Sequence, residues 1–188
     1  IEERRSGVRL DDIATIVYTS GTTGNPKGCE LTHGNMLHIT DQARSAVPEI
    51  FDDPNTSTLL FLPLAHIFGR AIQCIMMESG LKTAYAPDAT RLVDDLGVMK
   101  PNFVLAVPRV FEKIFNAAQQ KAYEEGKGKI FDAAAAVCIA YSKASEAGRV
   151  PLALSIKHAV FDALVYKKIR ARLGGNVQWA VSGGAALG

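Results

Sequence analysis

Five apolar runs punctuate this chain: "IATIVYTS" (13–20), "STLLFLP" (57–63), "LKTAYAP" (81–87), "NFVLAV" (102–107) and "NVQWAVSGG" (176–184). Each reads as a strand. They are apolar throughout instead of alternating with polar residues, so both faces need cover. Helical stretches separate them. "THGNMLHITDQARSAV" (32–47) has Thr32 or Asn35 as its cap. "AHIFGRAIQCIMMESG" (65–80) is nearly all apolar and should be buried on most faces. "TRLVDDLGVMK" (90–100) is short and amphipathic. Strand–helix alternation with continuous apolar strands predicts an α/β fold, a mostly parallel sheet flanked by helices. Such sheets bind ligands beyond the carboxyl ends of their strands.

Residues 108–173 form a helical block too long for one crossover, a helical insertion on the sheet. Val110, Phe111, Ile114, Phe115 and Ala118 share one helical face. "GKGK" (126–129) and "GRVP" (148–151) break the block, leaving helices over 130–147 and 152–173. The last carries Ile156, Val160 and Leu164 beside Phe161, Val165 and Ile169, a wide apolar stripe, and ends at Gly174–Gly175. Trp179, the single tryptophan, is expected to pack in the core.

Composition narrows the function. Apolar residues make up 48%, charged residues 21%, and the net charge is +2, so nothing marks a nucleic-acid partner. Cys29, Cys74 and Cys138 are odd in number and form no CxxC pair, which reads as free thiols in a cytoplasmic protein. His33, His38, His66 and His158 form no metal-binding pattern. The most apolar run, 59–68, is interrupted by Pro63 and His66 and falls short of the roughly 18 residues a membrane span needs. No signal peptide is recognisable. A start at Ile1 on "IEERRSG" and an end on "VSGGAALG" give the expectation of a piece of a longer protein.

Two glycine loops, 20–28 and 182–188, follow strand ends. The first reads S-G-T-T-G-N-P-K-G. A run of backbone N–H groups with small residues around it cradles anions. Gly21, Gly24 and Gly28 are free to adopt left-handed backbone. Ser20, Thr22 and Thr23 add hydroxyls that also reach a magnesium ion, and Lys27 adds one mobile positive charge. Phosphate oxygens want this set. The spacing is neither G-x-x-x-x-G-K-[ST] nor G-x-G-x-x-G.

Residues 19–28 match at every specified position [ST]-S-G-[ST]-T-G-x-P-K-G, and the chain resembles the AMP-forming adenylate ligases. That family includes acyl-CoA synthetases, firefly luciferase and peptide-synthetase adenylation domains. "PLAHIFGR" (63–70), "KPNFVLAVPRVFEKI" (100–114) and "VSGGAAL" (181–187) stand in the family's order. The long helical block is similar to that of the long-chain fatty acyl-CoA synthetase branch. Gly69 stands where many of that branch carry an acidic residue.

The resemblance implies a fragment of the large N-terminal ATP- and acyl-binding domain over 1–188, with the C-terminal catalytic-lysine domain absent. It implies a long-chain fatty acid–CoA ligase that forms acyl-AMP and pyrophosphate, then acyl-CoA and AMP, using ATP, Mg²⁺ and CoA. Thr19, Ser20, Gly21, Thr22, Thr23, Gly24 and Lys27 would hold the β- and γ-phosphates, with Thr23 also on the metal. His66 would lie beside the acid and the α-phosphate, and Gly183, Gly184 and Ala185 against the adenylate. The adenine, ribose and lysine motifs are not in these residues, so the fragment alone is expected to be inactive. Two other readings stay open: a fatty acyl-AMP or aryl-CoA ligase of the same superfamily, and a non-catalytic nucleotide- or acyl-binding module. Peripheral membrane contact suits a fatty-acid enzyme, and buried core is the simpler account of the apolar helices. Nothing in the sequence fixes the oligomeric state.

Overall fold

The computed structural model describes residues 2–19, 24–87 and 90–186, the side chains of 3 and 4 excepted. The chain forms two compact units, Ile1–Leu92 with Pro101–Val104, and Val93–Lys100 with Leu105–Gly188.

In the first unit a short helix α1 (Glu2–Ser6) precedes an antiparallel ribbon, β1 (Ile13–Thr19) paired with β2 (Lys27–Thr32). The ribbon corrects two expectations. β1 is not part of the parallel sheet, and it is not buried: only Val17 lies in the core, while Ile13 is 52%, Ile16 48% and Tyr18 70% exposed. The chain reverses after Thr19 instead of crossing over, so β1 acquires β2 for a neighbour. "KGCELT" carries a weak strand signal and was readable only from the hairpin rule that a glycine-bearing turn joins adjacent strands.

The end of β2 flows into α2 (His33–Ala46). Thr32 is the cap and Asn35 its partner. Asn35 N–H donates to Thr32 Oγ1 (3.2 Å) and Thr32 N–H donates to Asn35 Oδ1 (3.0 Å), a reciprocal box that satisfies two backbone donors. Pro48 then starts a single helical turn, α3 (Pro48–Phe51), where its missing N–H costs nothing. Ile50 and Phe51 are buried, and the Phe51 ring meets Phe103 edge-on at 5.7 Å.

β3 (Ser57–Leu60) runs parallel to β4 (Lys82–Tyr85), from Ser57 against Lys82 to Leu60 against Tyr85. It also runs parallel to β5 (Phe103–Ala106), with Thr58 against Phe103. The crossover is α4 (Ile67–Glu78), which packs on α2. Only one stripe of α4 is buried: Gly69, Ile72, Ile75 and Met76. Met77 stays 71% exposed, so this mostly apolar helix has only one covered face.

The second unit holds most of α5 (Leu92–Met99), with Leu96 fully buried. It continues through α6 (Pro108–Glu124), α7 (Gly128–Glu146) and α8 (Leu152–Phe161). A single π turn (Asp162–Tyr166) and α9 (Lys167–Arg172) follow. The predicted helix over 152–173 is thus one helical run interrupted by a π turn. The expected stop at Gly174–Gly175 holds, both with left-handed φ (+95° and +82°). Gly174 has a second reason to be glycine: a Cβ there would sit 2.5 Å from the Leu96 carbonyl oxygen. α6 packs on α7 and α7 on α8. Tyr166 Oη donates to the Ala134 carbonyl (2.7 Å), and Phe115 meets Phe131 at 5.3 Å. β6 (Trp179–Ser182) completes a sheet of order β4-β3-β5-β6, and Gly183 N–H donates to Ala106 O (3.2 Å). Trp179 is 39% exposed, contrary to the core expectation. Among the described residues no helix is long and apolar enough to cross a membrane.

Candidate functional site

The ribbon brings the two ends of the first glycine loop together. Thr19, the last residue of β1, faces Lys27, the first of β2, and Thr19 Oγ1 donates to the Lys27 carbonyl (3.4 Å). Lys27 is exposed. Gly24 is also exposed, and a Cβ there would meet nothing within 4 Å, so a ligand has room. Ser20, Gly21, Thr22 and Thr23, including the metal assignment to Thr23, lie outside the described residues. Gly28 does not use left-handed backbone. Its lack of a Cβ matters because the position is 2.9 Å from Ile16 Cγ2 and 3.5 Å from the Tyr18 ring. The loop's described part offers backbone, one hydroxyl and one cation, with no carboxylate. That donor set suits phosphate oxygens, and a magnesium ion held chiefly by those oxygens. Among the described residues no group of three or more His, Cys, Asp or Glu is arranged as a metal cage.

His66 is the N-cap residue of α4, extended at φ −92° and ψ 138°. Its N–H donates to Pro63 O (3.0 Å), its carbonyl accepts from Arg70 N–H (3.2 Å), and its exposed imidazole makes no capping bond. The side chain is therefore not used up in closing the helix. Gly69 lets this segment lie close: a Cβ there would stand 2.8 Å from the Pro63 oxygen and 3.0 Å from the Leu62 oxygen. An acidic side chain at Gly69 does not fit this backbone.

Sequence reasoning missed Arg70. Its Nε donates to the Leu64 carbonyl (3.0 Å) and its Nη1 donates to Thr15 Oγ1 on β1. One guanidinium thus ties the His66 segment to the glycine-loop ribbon. The available signal was the one basic residue of a mostly apolar helix, four residues after His66.

In the second unit, Gly183 is pinned to Ala106 and Gly184 takes φ +81°, a backbone only glycine adopts freely. Ala185 follows, exposed. Just before them, the Ser182 hydroxyl is buried and has no hydrogen-bond partner among the described residues.

Residues 2–188 match the AMP-binding enzyme family, and the chain belongs to it. It is 48% identical over 185 residues to the long-chain-fatty-acid–CoA ligase FadD15 of Mycobacterium tuberculosis, covering 98% of this chain and 31% of that protein. It is 38% identical over 183 residues to the peroxisomal long chain acyl-CoA synthetase 7 of Arabidopsis thaliana, covering 94% of this chain and 24% of that one. The chain therefore spans less than a third of the curated relatives it matches. Among solved structures, O-succinylbenzoate coenzyme A synthetase of Bacillus subtilis in complex with AMP shares the fold. Its TM-score is 0.51 at 24% identity, covering 58% of this chain and 23% of that one.

Proposed function

We propose that these residues are the phosphate-binding part of a long-chain fatty acid–CoA ligase. A carboxylate is a poor electrophile: it is anionic and has no leaving group. The enzyme joins it to AMP by in-line attack on the α-phosphate of ATP, releasing pyrophosphate. The thiol of CoA then displaces AMP. The catalyst must stabilise the charge that gathers on the leaving pyrophosphate. Lys27 is the counter-charge, and Thr19 through Gly24 supply hydroxyl and amide donors. A magnesium ion, with Thr23 as its hydroxyl ligand, would neutralise more of that charge. His66 orients the acid, and Gly183, Gly184 and Ala185 let the adenylate approach the backbone.

The observation that carries this reading is the 48% identity to a protein named for that activity, across 98% of this chain. The open, cationic end of the ribbon and the uncommitted imidazole of His66 support the roles. In this reading the chain is a fragment of the N-terminal domain and does not turn over by itself. The enzyme works in the cytoplasm, and any membrane contact is peripheral.

The test is AMP release by the full-length protein with ATP and Mg²⁺, over acids from acetate to C20 plus benzoate, with and without CoA. CoA-dependent release peaking at C14–C18, and lost in Lys27→Ala, is the expected result. Adenylate formation without CoA turnover would make it an acyl-AMP ligase. No AMP with any acid would leave only a binding module.

A further inference from the structure

The proposed ligase reaction needs two pieces of the first unit held in register: the loop end of the ribbon, which takes the phosphates, and the His66 segment, which takes the acid. The structure joins them in two ways. α2 packs on α4 and touches both β1 and β2, so it sets their gross placement. Arg70 makes the direct tie. Its Nε donates to the Leu64 carbonyl (3.0 Å), two residues before His66, and its Nη1 donates to Thr15 Oγ1. Both bonds are partly buried, where a charged donor is held more strongly than in open water.

The backbone on each side is shaped for this tie. β1 shifts register against β2 between Ile13 and Thr15, with Ile13 opposite Thr32 and Thr15 opposite Leu31. An irregularity of this kind re-aims the side chains beside it. Beyond it Thr15 is half-buried and Val17 buried, while Ile16 and Tyr18 stay exposed, so Thr15 lies on the covered face of the strand. On the other side, Gly69 lets α4 start against the main chain of Leu62 and Pro63, where a Cβ would stand 3.0 and 2.8 Å from their oxygens. Arg70 follows at once. A guanidinium is a rigid planar fork, so two acceptors on two of its nitrogens are held in one fixed relation.

We propose that Thr15 and Arg70 are a positioning pair, a strut that fixes the His66 segment relative to the phosphate loop so that the acid meets the α-phosphate in line. For its chemistry the strut rests on the ligase reading. Neither residue acts on substrate itself. In-line attack tolerates little error, and a misplacement of about 1 Å costs on the order of 10²-fold in rate. The second step, in which the CoA thiol displaces AMP, occurs after pyrophosphate has left, so the spacing between loop and His66 no longer enters. The strut therefore acts on one half-reaction and not on the other.

The test uses the full-length protein with ATP, Mg²⁺ and the acid it turns over best in the AMP-release assay. Thr15→Val keeps the shape and the strand preference and removes only the acceptor. Pyrophosphate release at saturating ATP and acid should fall about tenfold or more, with KM for ATP changed less than about twofold. Conversion of the supplied acyl-AMP to acyl-CoA should fall less than about twofold. Thr15→Ser, which keeps the hydroxyl, should restore pyrophosphate release, and Arg70→Lys, which keeps the charge without the fork, should behave like Thr15→Val. Without substrates, amide exchange over 62–68 should quicken in Thr15→Val and not in Thr15→Ser, a readout that needs no turnover. Unchanged pyrophosphate release in Thr15→Val, an equal fall in both steps, a rise in KM for ATP alone, or unchanged exchange would overturn the strut while leaving the parent an active ligase. A parent protein that releases no pyrophosphate with any acid would instead sink the ligase reading, and the strut's catalytic role with it.

Discussion

Gly69 and Gly97 both lie in helix interiors, and the same substitution should act on them in opposite directions. Gly97, in α5, would gain a Cβ with nothing within 4 Å. Alanine there removes unfolded-state freedom and adds helix propensity, a gain of about 0.4–1 kcal/mol. Gly69, in α4, would gain a Cβ 2.8 Å from the Pro63 oxygen and 3.0 Å from the Leu62 oxygen. Those are main-chain atoms that cannot rotate away, so either the 62–66 segment moves or the helix does. Such overpacking costs about 1–3 kcal/mol. Set against a propensity gain of up to about 1 kcal/mol, the net for Gly69→Ala is a loss of up to about 2 kcal/mol. The assay is thermal unfolding of both variants beside the parent protein, where 1 kcal/mol shifts the midpoint by about 2–4 °C in a domain of this size. Gly97→Ala should rise and Gly69→Ala should fall. A Gly69→Ala midpoint raised as much as that of Gly97→Ala would refute the close approach, and with it the account of how the His66 segment is held.

Arg70→Ala should destabilise by about 1.5–3 kcal/mol, as the loss of charged hydrogen bonds does, and should lower AMP formation. Arg70→Lys keeps the charge but not the fork and should not restore either, with calorimetry and AMP release as the readouts. Thr32→Ala removes the capping box and should cost about 1 kcal/mol in a urea titration, most of it recovered in Thr32→Ser. The Asp132 carboxyl is held below its usual range by hydrogen bonds from Tyr123 and Gln119, and the same Asp132 bond raises the Tyr123 hydroxyl above its own. The stability lost in Tyr123→Phe should therefore be greatest near neutral pH. It should shrink as pH falls through the depressed Asp132 value, and again as pH rises through the raised Tyr123 value. Unfolding curves from pH 2 to 11 give the comparison, and a pH-independent difference would contradict it.

The sequence made the sheet strands, the helix boundaries and the family resemblance legible because each is written in local chemistry. The Thr32 cap, the start of the helical block at Pro108 and the double-glycine stop of α9 depend on nothing distant, whereas the single turn α3 was not among the expected elements. β2 was hidden because six residues with a glycine and two charges carry little strand propensity, and only pairing with β1 makes them a strand. For the same reason β1 looked like buried sheet: apolar residues show a preference for cover without saying whether it is met. The π turn left no mark, since one wide turn has the same residue preferences as the helix around it. Of the site, Lys27 and His66 could be named from motifs. Arg70 could not, because its two partners, Leu64 and Thr15, are fixed only by the tertiary fold.

The order in which the sheet is assembled has a consequence for synthesis. The first unit closes contacts 45 residues apart, Ser57 to Asn102, while the second must close contacts 76 residues apart, Lys100 to Asn176. The added entropy of the longer closure is small, about half a kcal/mol. The time is not. At about 5–20 residues per second, β5 leaves the ribosome roughly 4–15 s before β6 exists to pair with it. For that interval an apolar strand has an open edge, the geometry that recruits strands from other chains. Helices α6 to α9 emerge in the gap and fold in microseconds. The length of the insertion therefore sets how long the nascent edge stays open, and shortening it by design would bring β6 forward and cut that exposure.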